Sequence, residues 1–172
     1  MVTQHRLKDL LIYDENSGIF YWKNPTASWI KPGDIAGGLE SDGAIRIKID
    51  GKLYLAHRLA WFFFYGKWPD GCLDHINRKR ADNRIKNLRL ATRSENGQNS
   101  NVRKDNRSGT TGVFFRPDTG KWRAVICVNQ KKVNLGSFDS KLSAIAARKI
   151  AEKKYFPFKV YSEGRIEEEM MR

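Results

Sequence analysis

Ile45, Ile47 and Ile49 alternate with Arg46 and Lys48, and Asp50-Gly51 follows at once. Successive strand side chains point to opposite faces, so this segment buries its isoleucines only as a strand, with the two cations on the other side. Asp-Gly is a strong two-residue hairpin turn, and residues 52–56 supply the return strand. The result is a small sheet with one apolar and one basic face; the basic face suits either a polyanion or plain solvent. Residues 18–23 add a strand after the turn Asp14-Glu-Asn-Ser-Gly18. Residues 57–65 read as a short aromatic-rich helix, with His57 a core or helix-start histidine in preference to one that reaches a neighbouring site, and Lys67-Trp-Pro-Asp-Gly71 ends it. A polar stretch at 100–108 reads as a linker. Beyond it come strands at 111–116, 122–128 and 132–135 and a helix at 140–156, whose apolar stripe is Leu142, Ile145, Ala146 and Ile150. Alternation places Val113, Phe115, Trp122, Ala124, Ile126, Val133 and Leu135 towards that helix. The fold class is therefore α+β: a small N-terminal antiparallel sheet and its following motif in 1–99, then a separate three-stranded antiparallel sheet on one helix in 109–160. A tail at 161–172 follows.

The chain carries 32 Lys and Arg against 19 Asp and Glu, a formal net charge of +13. Residues 1–99 hold 16 basic and 11 acidic residues, and residues 100–172 hold 16 and 8, so both halves are cationic. Such a balance points to a polyanion, nucleic acid before an anionic membrane. The longest apolar run, 59–65, is far short of the roughly 18–20 residues that a membrane span needs. The first residues show no apolar signal segment. Two distant cysteines, Cys72 and Cys127, exclude a disulfide framework and a four-cysteine zinc site, so a reducing cytoplasm is the expected compartment.

Between 72 and 100 lies a compact arrangement read as strand, loop, strand, helix. Asp74 and His75 fall on the first strand, Asn87 at the head of the second, and Thr92-Arg-Ser-Glu95 has the spacing of a capping box opening a helix that carries Asn96. Phosphodiester hydrolysis needs a base for water and a hard cation for the charge developing on phosphate. His75, with an ordinary pKa near 6.5, is the candidate base. Asp74 and Asn96 are oxygen donors, and one carboxylate with one amide suits Mg²⁺, which keeps several waters; Mn²⁺ is the expected substitute. Asn87 is placed to accept from the Nδ1–H of His75, leaving Nε2 to take the proton.

The pattern Asp74-His75, eleven residues, Asn87-Leu88, seven residues, Asn96 resembles the HNH nuclease motif, a ββα-metal finger. The resemblance implies His75 as general base, Asn87 as its orienting residue, and Asp74 with Asn96 as metal ligands. His57-Arg-Leu-Ala-Trp61 and Ser94-Glu-Asn96 are similar to free-standing homing-type HNH endonucleases of phages. Paired CxxC motifs are missing, and Ser100 stands where a two-histidine site would have its second histidine, so a single-Mg²⁺ variant fits better.

Thr111-Gly-Val-Phe-Phe-Arg116, Gly120-Lys-Trp-Arg-Ala124 and Leu135-Gly-Ser-Phe-Asp139, followed by an alanine-rich helix, resemble the ERF-type DNA-binding domain of plant transcription factors, which also occurs in phage HNH proteins. That resemblance implies a sheet laid in the DNA major groove. Arg116 and Lys132 match base-contacting arginines of that family in position and charge, whereas Thr111 and Phe114 replace arginines, so the plant target does not carry over. Candidate DNA contacts are then Arg46 and Lys48 on the first sheet; Arg78, Lys79, Arg80, Arg84 and Arg93 around the motif; Arg103, Lys104 and Arg107 in the linker; and Phe114, Arg116, Arg123, Lys132 and Asn134 on the outer face of the second sheet. The expected function is sequence-targeted hydrolysis of double-stranded DNA, leaving 5′-phosphate and 3′-hydroxyl ends as the family implies. One site per chain suggests a nick by a monomer in the cytoplasm of a host cell, with no partner in the membrane and no small-molecule cofactor beyond the metal. The rival expectation is a DNA-binding regulator whose nuclease site has decayed.

Overall fold

A computed structural model describes residues 1–100, 102 and 105–159. Arg103, Lys104 and the tail from residue 160 lie outside the described residues. The chain divides into two compact units, Met1–Arg93 and Ser94–Arg172. The division falls ahead of the boundary expected at residue 99 and leaves Asn96 with the second unit.

In the first unit, Thr3 caps helix α1 (Gln4–Leu10) by accepting from the Arg6 amide. The chain enters an antiparallel hairpin of β1 (Leu11–Asp14) and β2 (Ile19–Trp22). Asp14 closes the turn by accepting from Ser17 Oγ and the Asn16 amide. A second antiparallel sheet runs β3 (Gly38–Leu39), β4 (Ile45–Ile49), β5 (Lys52–Leu55). Asp50 and Gly51 both take positive φ, 46° and 78°, the conformation of the type I′ turn that matches strand twist. Ile47 and Ile49 are buried and Lys48 is exposed, as the alternation requires. Helix α2 (Ala56–Tyr65) buries Ala56, Leu59, Ala60, Trp61 and Phe62 and stops at Gly66, which takes the left-handed conformation and donates to Phe62 O. One apolar core joins these elements around Leu7, Leu10, Leu11, Phe20, Ile47 and Leu59 and extends to Leu73 and Leu88 of a further hairpin, β6 (Cys72–His75) with β7 (Leu88–Ala91). That hairpin carries the candidate site.

The division between the units passes through the first turn of α3 (Arg93–Gln98). In the second unit, β8 (Val113–Arg116), β9 (Lys121–Val128) and β10 (Lys131–Phe138) form an antiparallel sheet with β9 central, and α4 (Lys141–Tyr155) packs on it. Asn129 and Gln130 make the β9–β10 turn with φ of 49° and 65°. β10 runs past the expected end at Leu135 because a bulge at Asn134/Gly136 re-registers it against β9.

The buried face of α4 matches the expected one at Ile145 but not at Leu142, Ala146 and Ile150, which are exposed. Ala144, Ile145, Arg148, Ala151 and Glu152 are buried, whereas Leu142 and Ile150 are 51% and 70% exposed. Small alanines let the helix sit close to Ala124 and Val113, and that closeness selects the alanine face over the bulkier Leu and Ile face. Arg148 tolerates burial because it donates to Glu152 Oε1 at 2.9 Å and to the carbonyl of Val125, while Lys159 reaches Glu152 Oε2 at 2.8 Å. Val113, Ala124 and Ile126 face inward as expected, but Phe115 and Val133 are more exposed than the alternation implies. Among the described residues no helix is long and apolar enough to cross a membrane.

Candidate active site

The β6–β7 hairpin fixes Asp74 opposite Arg89 and His75 opposite Leu88. The first pairing sets opposite charges face to face: Arg89 Nε and Nη2 both donate to Asp74 Oδ2, at 2.9 and 2.8 Å. Asp74 is buried, so this pair supplies the charge compensation that a carboxylate away from water needs. By strand alternation Asp74 and His75 lie on opposite sides of the ribbon, yet the Asp74 charge still acts on the imidazole.

His75 is buried, and its Nε2 lies 3.2 Å from Asn83 Oδ1. An amide oxygen only accepts, so Nε2 is the donor in that contact. This reverses the tautomer expected from the sequence. His57, in the first turn of α2, packs edge-on against His75, with ring centroids 5.0 Å apart and planes at 81°. Burial lowers the pKa of His75, opposed by the Asn83 bond and the Asp74 carboxylate. Burial, then the neighbouring His75, Arg58, Arg80 and Arg46, takes His57 down to about 4. Both rings are neutral at pH 7. The place of His57 against the candidate base is the lesser of its two sequence readings, since nothing in a lone helix-start histidine says what it faces.

Asn87 does not take the contact expected of it. Its Oδ1 accepts from the Asn77 amide at 3.0 Å, and its Nδ2 donates to Asn77 Oδ1 and to the Asp82 carbonyl at 3.0 and 2.8 Å. Asn87 thus ties together the ends of the loop between the two strands. Asn77 Nδ2 adds a 2.6 Å bond to Asp82, and Arg78 enters the left-handed region with φ 63° so that its amide can reach His75 O. The physical reason is position: Asn87 ends a 3-10 turn, Ile85–Asn87, just before β7, where its amide meets the loop. Asn83, which no spacing argument singled out, lies within hydrogen-bond distance of the His75 ring.

Several candidate phosphate contacts are paired with carboxylates. Arg46 forms a two-point pair with Asp42, and Arg80 reaches both the carboxylate and the carbonyl of the same residue. Arg84 pairs with Asp82, and Arg116 pairs with Asp118 through two bonds. These guanidiniums hold Asp42, Asp82 and Asp118 below the usual carboxylate range. Arg123 Nε donates to Asn134 Oδ1 at 3.4 Å. Lys48, Lys79, Arg93, Arg107, Lys132 and Asn134 are exposed, while Arg78 and Phe114 are half-buried.

Among the described residues no group of three or more His, Cys, Asp and Glu is placed to hold a metal ion. That excludes, for those residues, a closed cage built from such side chains. The donors the motif offers, one carboxylate and amide oxygens, match a hard cation that keeps most of its own water. The Arg89 bonds both fall on Oδ2 of Asp74. Asn96 is exposed on α3.

The family described as HNH endonuclease matches residues 54–98, which include the end of β5, then α2, both strands of the β6–β7 hairpin and α3. Protein 3.8 of Escherichia phage T7 is 32% identical over 84 residues, covering 48% of this chain and 69% of that protein. No solved structure matches.

Proposed function

Since the chain carries an HNH endonuclease domain and belongs to the family of the phage protein it matches, we propose that it is a metal-dependent DNA endonuclease that nicks duplex DNA at chosen sites. The observation that carries this reading is His75: a buried, neutral imidazole whose Nε2 meets Asn83 and which is adjacent to Asp74, inside the HNH segment. A neutral imidazole can take a proton from water at neutral pH, the task of a general base. The activated water attacks phosphorus, the P–O3′ bond breaks, and the departing 3′ oxygen takes a proton from solvent, leaving 5′-phosphate and 3′-hydroxyl ends. Asp74 and Asn96 are the residues that would hold Mg²⁺, or Mn²⁺ in its place. When bound, that ion supplies charge stabilisation on the phosphate and the leaving oxygen. Asn87 keeps the 76–87 loop closed behind the base.

The second unit is proposed as the DNA anchor, an ERF-type module whose outer face presents Phe114, Arg116, Arg123, Lys132 and Asn134. Linker residues Arg103, Lys104 and Arg107 and the first-unit cations Arg46, Lys48, Arg78, Lys79, Arg80, Arg84 and Arg93 would add phosphate contacts. Arg46, Arg84 and Arg116 each make a two-point pair with an aspartate, and a phosphate can take the place of such a carboxylate with the same geometry. The protein is proposed to act as a monomer in the cytoplasm of a host cell. Incubation of supercoiled plasmid with the full chain in Mg²⁺ and in EDTA tests the reading. Conversion to open circle only with the metal supports it; a protein that binds duplex DNA but leaves it uncut under both conditions is a regulator and not a nuclease.

A further inference from the structure

Ile35 and Leu39 are 63% and 70% exposed, yet neither belongs to a loose loop. Ile35 bridges Tyr21 of β2, the next amide, Ala36, donates to Phe20 O at 2.7 Å, and Leu39 pairs with Ile45 of β4. Between them Gly37 takes φ 95°, and a Cβ there would come within 2.6 Å of the Arg46 carbonyl oxygen. The backbone of 35–39 is thus tied at its two ends to different sheets and pressed against β4. Single exposed aliphatics are ordinary on a protein surface. These two wall one groove of about 190 Å³, together with the half-buried Ile19 and Ile45. The fold therefore gathers four aliphatic side chains and leaves two of them standing in water on a fixed backbone.

The groove lies beside the candidate active site. Asn83 is in its wall, and Oδ1 of the same residue is 3.2 Å from His75 Nε2. Arg80 ties the 76–87 loop to the turn between β3 and β4 by donating to the Asp42 carbonyl at 3.0 Å, and Arg46 pairs with the Asp42 carboxylate. That loop carries five cations, Arg78, Lys79, Arg80, Arg84 and Lys86, against Asp82 alone, which outweighs Glu40 and Asp42 near Arg46. An apolar ridge in a cationic surround complements stacked bases inside an anionic backbone. A second copy of this chain fits worse, since a two-fold contact would set the same cations against each other. Leucine and isoleucine are also the side chains that enter base steps as wedges, unstacking them and kinking the duplex.

We infer that Ile35 and Leu39 form an apolar wedge that opens a base step of duplex DNA beside the scissile phosphate. The inference rests on the endonuclease reading and adds to it a means of choosing sites. A step that unstacks readily is entered at lower cost, so the enzyme selects by deformability as well as by base contacts.

The test uses the full chain. Nicks made in Mg²⁺ are mapped first, and duplexes carrying a mapped site are made with 2-aminopurine, which fluoresces more when unstacked, at each position around the nick. In EDTA, where binding proceeds without hydrolysis, wild type should raise the fluorescence at one or two neighbouring positions. Ile35→Ala combined with Leu39→Ala should abolish that rise and slow single-turnover nicking by roughly 10–100-fold, the scale of a misplaced substrate. A mismatched pair at the same step is already poorly stacked and should restore the variant's rate to within several-fold of wild type. Leu53→Ala, which removes a 60% exposed side chain on β5 outside the groove, should change neither readout. No rise in wild type overturns the inference. So does a double variant that keeps the rise or the rate, or a mismatch that leaves the variant slow. A double variant altered only in oligomeric state makes the groove a contact between copies and overturns it as well. If wild type nicks nothing in Mg²⁺, the endonuclease reading fails separately, and permanganate reactivity of thymines in bound plasmid in EDTA decides the wedge. Thymines made reactive by wild type and not by the double variant uphold it; equal patterns overturn it.

Discussion

Acid should destabilise the first unit well above the pH at which its carboxylates protonate, and His57 is the main reason. In the unfolded chain this histidine takes up a proton near its ordinary pKa of 6.5; folded, it resists until about pH 4 because the charged form would be buried among His75, Arg58, Arg80 and Arg46. The unfolded state thus binds more protons between these values, so stability is full above pH 6.5 and falls as pH drops towards 4. The shift corresponds to about 3 kcal/mol at completion, with about 2 kcal/mol already lost at pH 5. His75, also lowered by burial, adds loss of the same sign. The lowered pKa values of Asp42, Asp50 and Asp82 place their losses below the ordinary carboxylate value of 3.8, outside this window. Urea unfolding followed by tryptophan fluorescence at pH 7, 6 and 5 measures the effect, with His57→Gln as the matched variant. Wild type should lose about 2 kcal/mol or more across that range, and the variant clearly less. A flat wild-type profile, or equal slopes in the two proteins, would refute the reasoning.

Three further outcomes follow from the structure. Gly18→Ala places a side chain at φ 74° against the Asn83–Arg84 peptide and should cost at least about 1–3 kcal/mol in urea unfolding of the first unit. Glu152→Leu leaves Arg148 buried without its main ion-pair partner; a loss of about 3–5 kcal/mol is expected in thermal or urea unfolding of the second unit. Binding to duplex DNA should fall with salt: if six cations neutralise phosphates, log K against log salt has a slope of roughly −5, measured by fluorescence anisotropy across a salt series, and a slope near zero would remove phosphate contacts from the account.

Elements whose identity depends on local chemistry were legible in the sequence. The Ile45–Ile49 alternation with Asp50-Gly51 gave a strand and a two-residue turn, and the 72–100 motif gave strand, strand and helix, because turn residues and period-2 patterning act over a few positions. What was not legible depended on packing between distant segments. The apolar count on α4 pointed to Leu142 and Ile150, but the helix turned its alanines and the Arg148–Glu152 pair to the sheet, since close approach and a satisfied buried ion pair outweighed two larger side chains. The contact of Asn83 with His75 and the edge-on packing of His57 join residues 8 and 18 positions apart by sequence number across a loop and a helix, and no periodicity encodes them. Asn87 held its predicted position at the head of β7, but its hydrogen bonds go to the loop. The charge count foretold a basic protein and could not say that Arg46, Arg80, Arg84 and Arg116 each face an aspartate.

The central claim is that His75 activates water for DNA hydrolysis. It is tested most directly by single-turnover cleavage of supercoiled plasmid with Mg²⁺ at neutral pH, comparing wild type with His75→Ala while binding to the same DNA is measured in EDTA. The account predicts open circles from wild type, a rate lower by roughly 10²–10⁴ in the variant, the usual scale for a general base, and equal affinity for DNA. Cleavage by His75→Ala at the wild-type rate would contradict it.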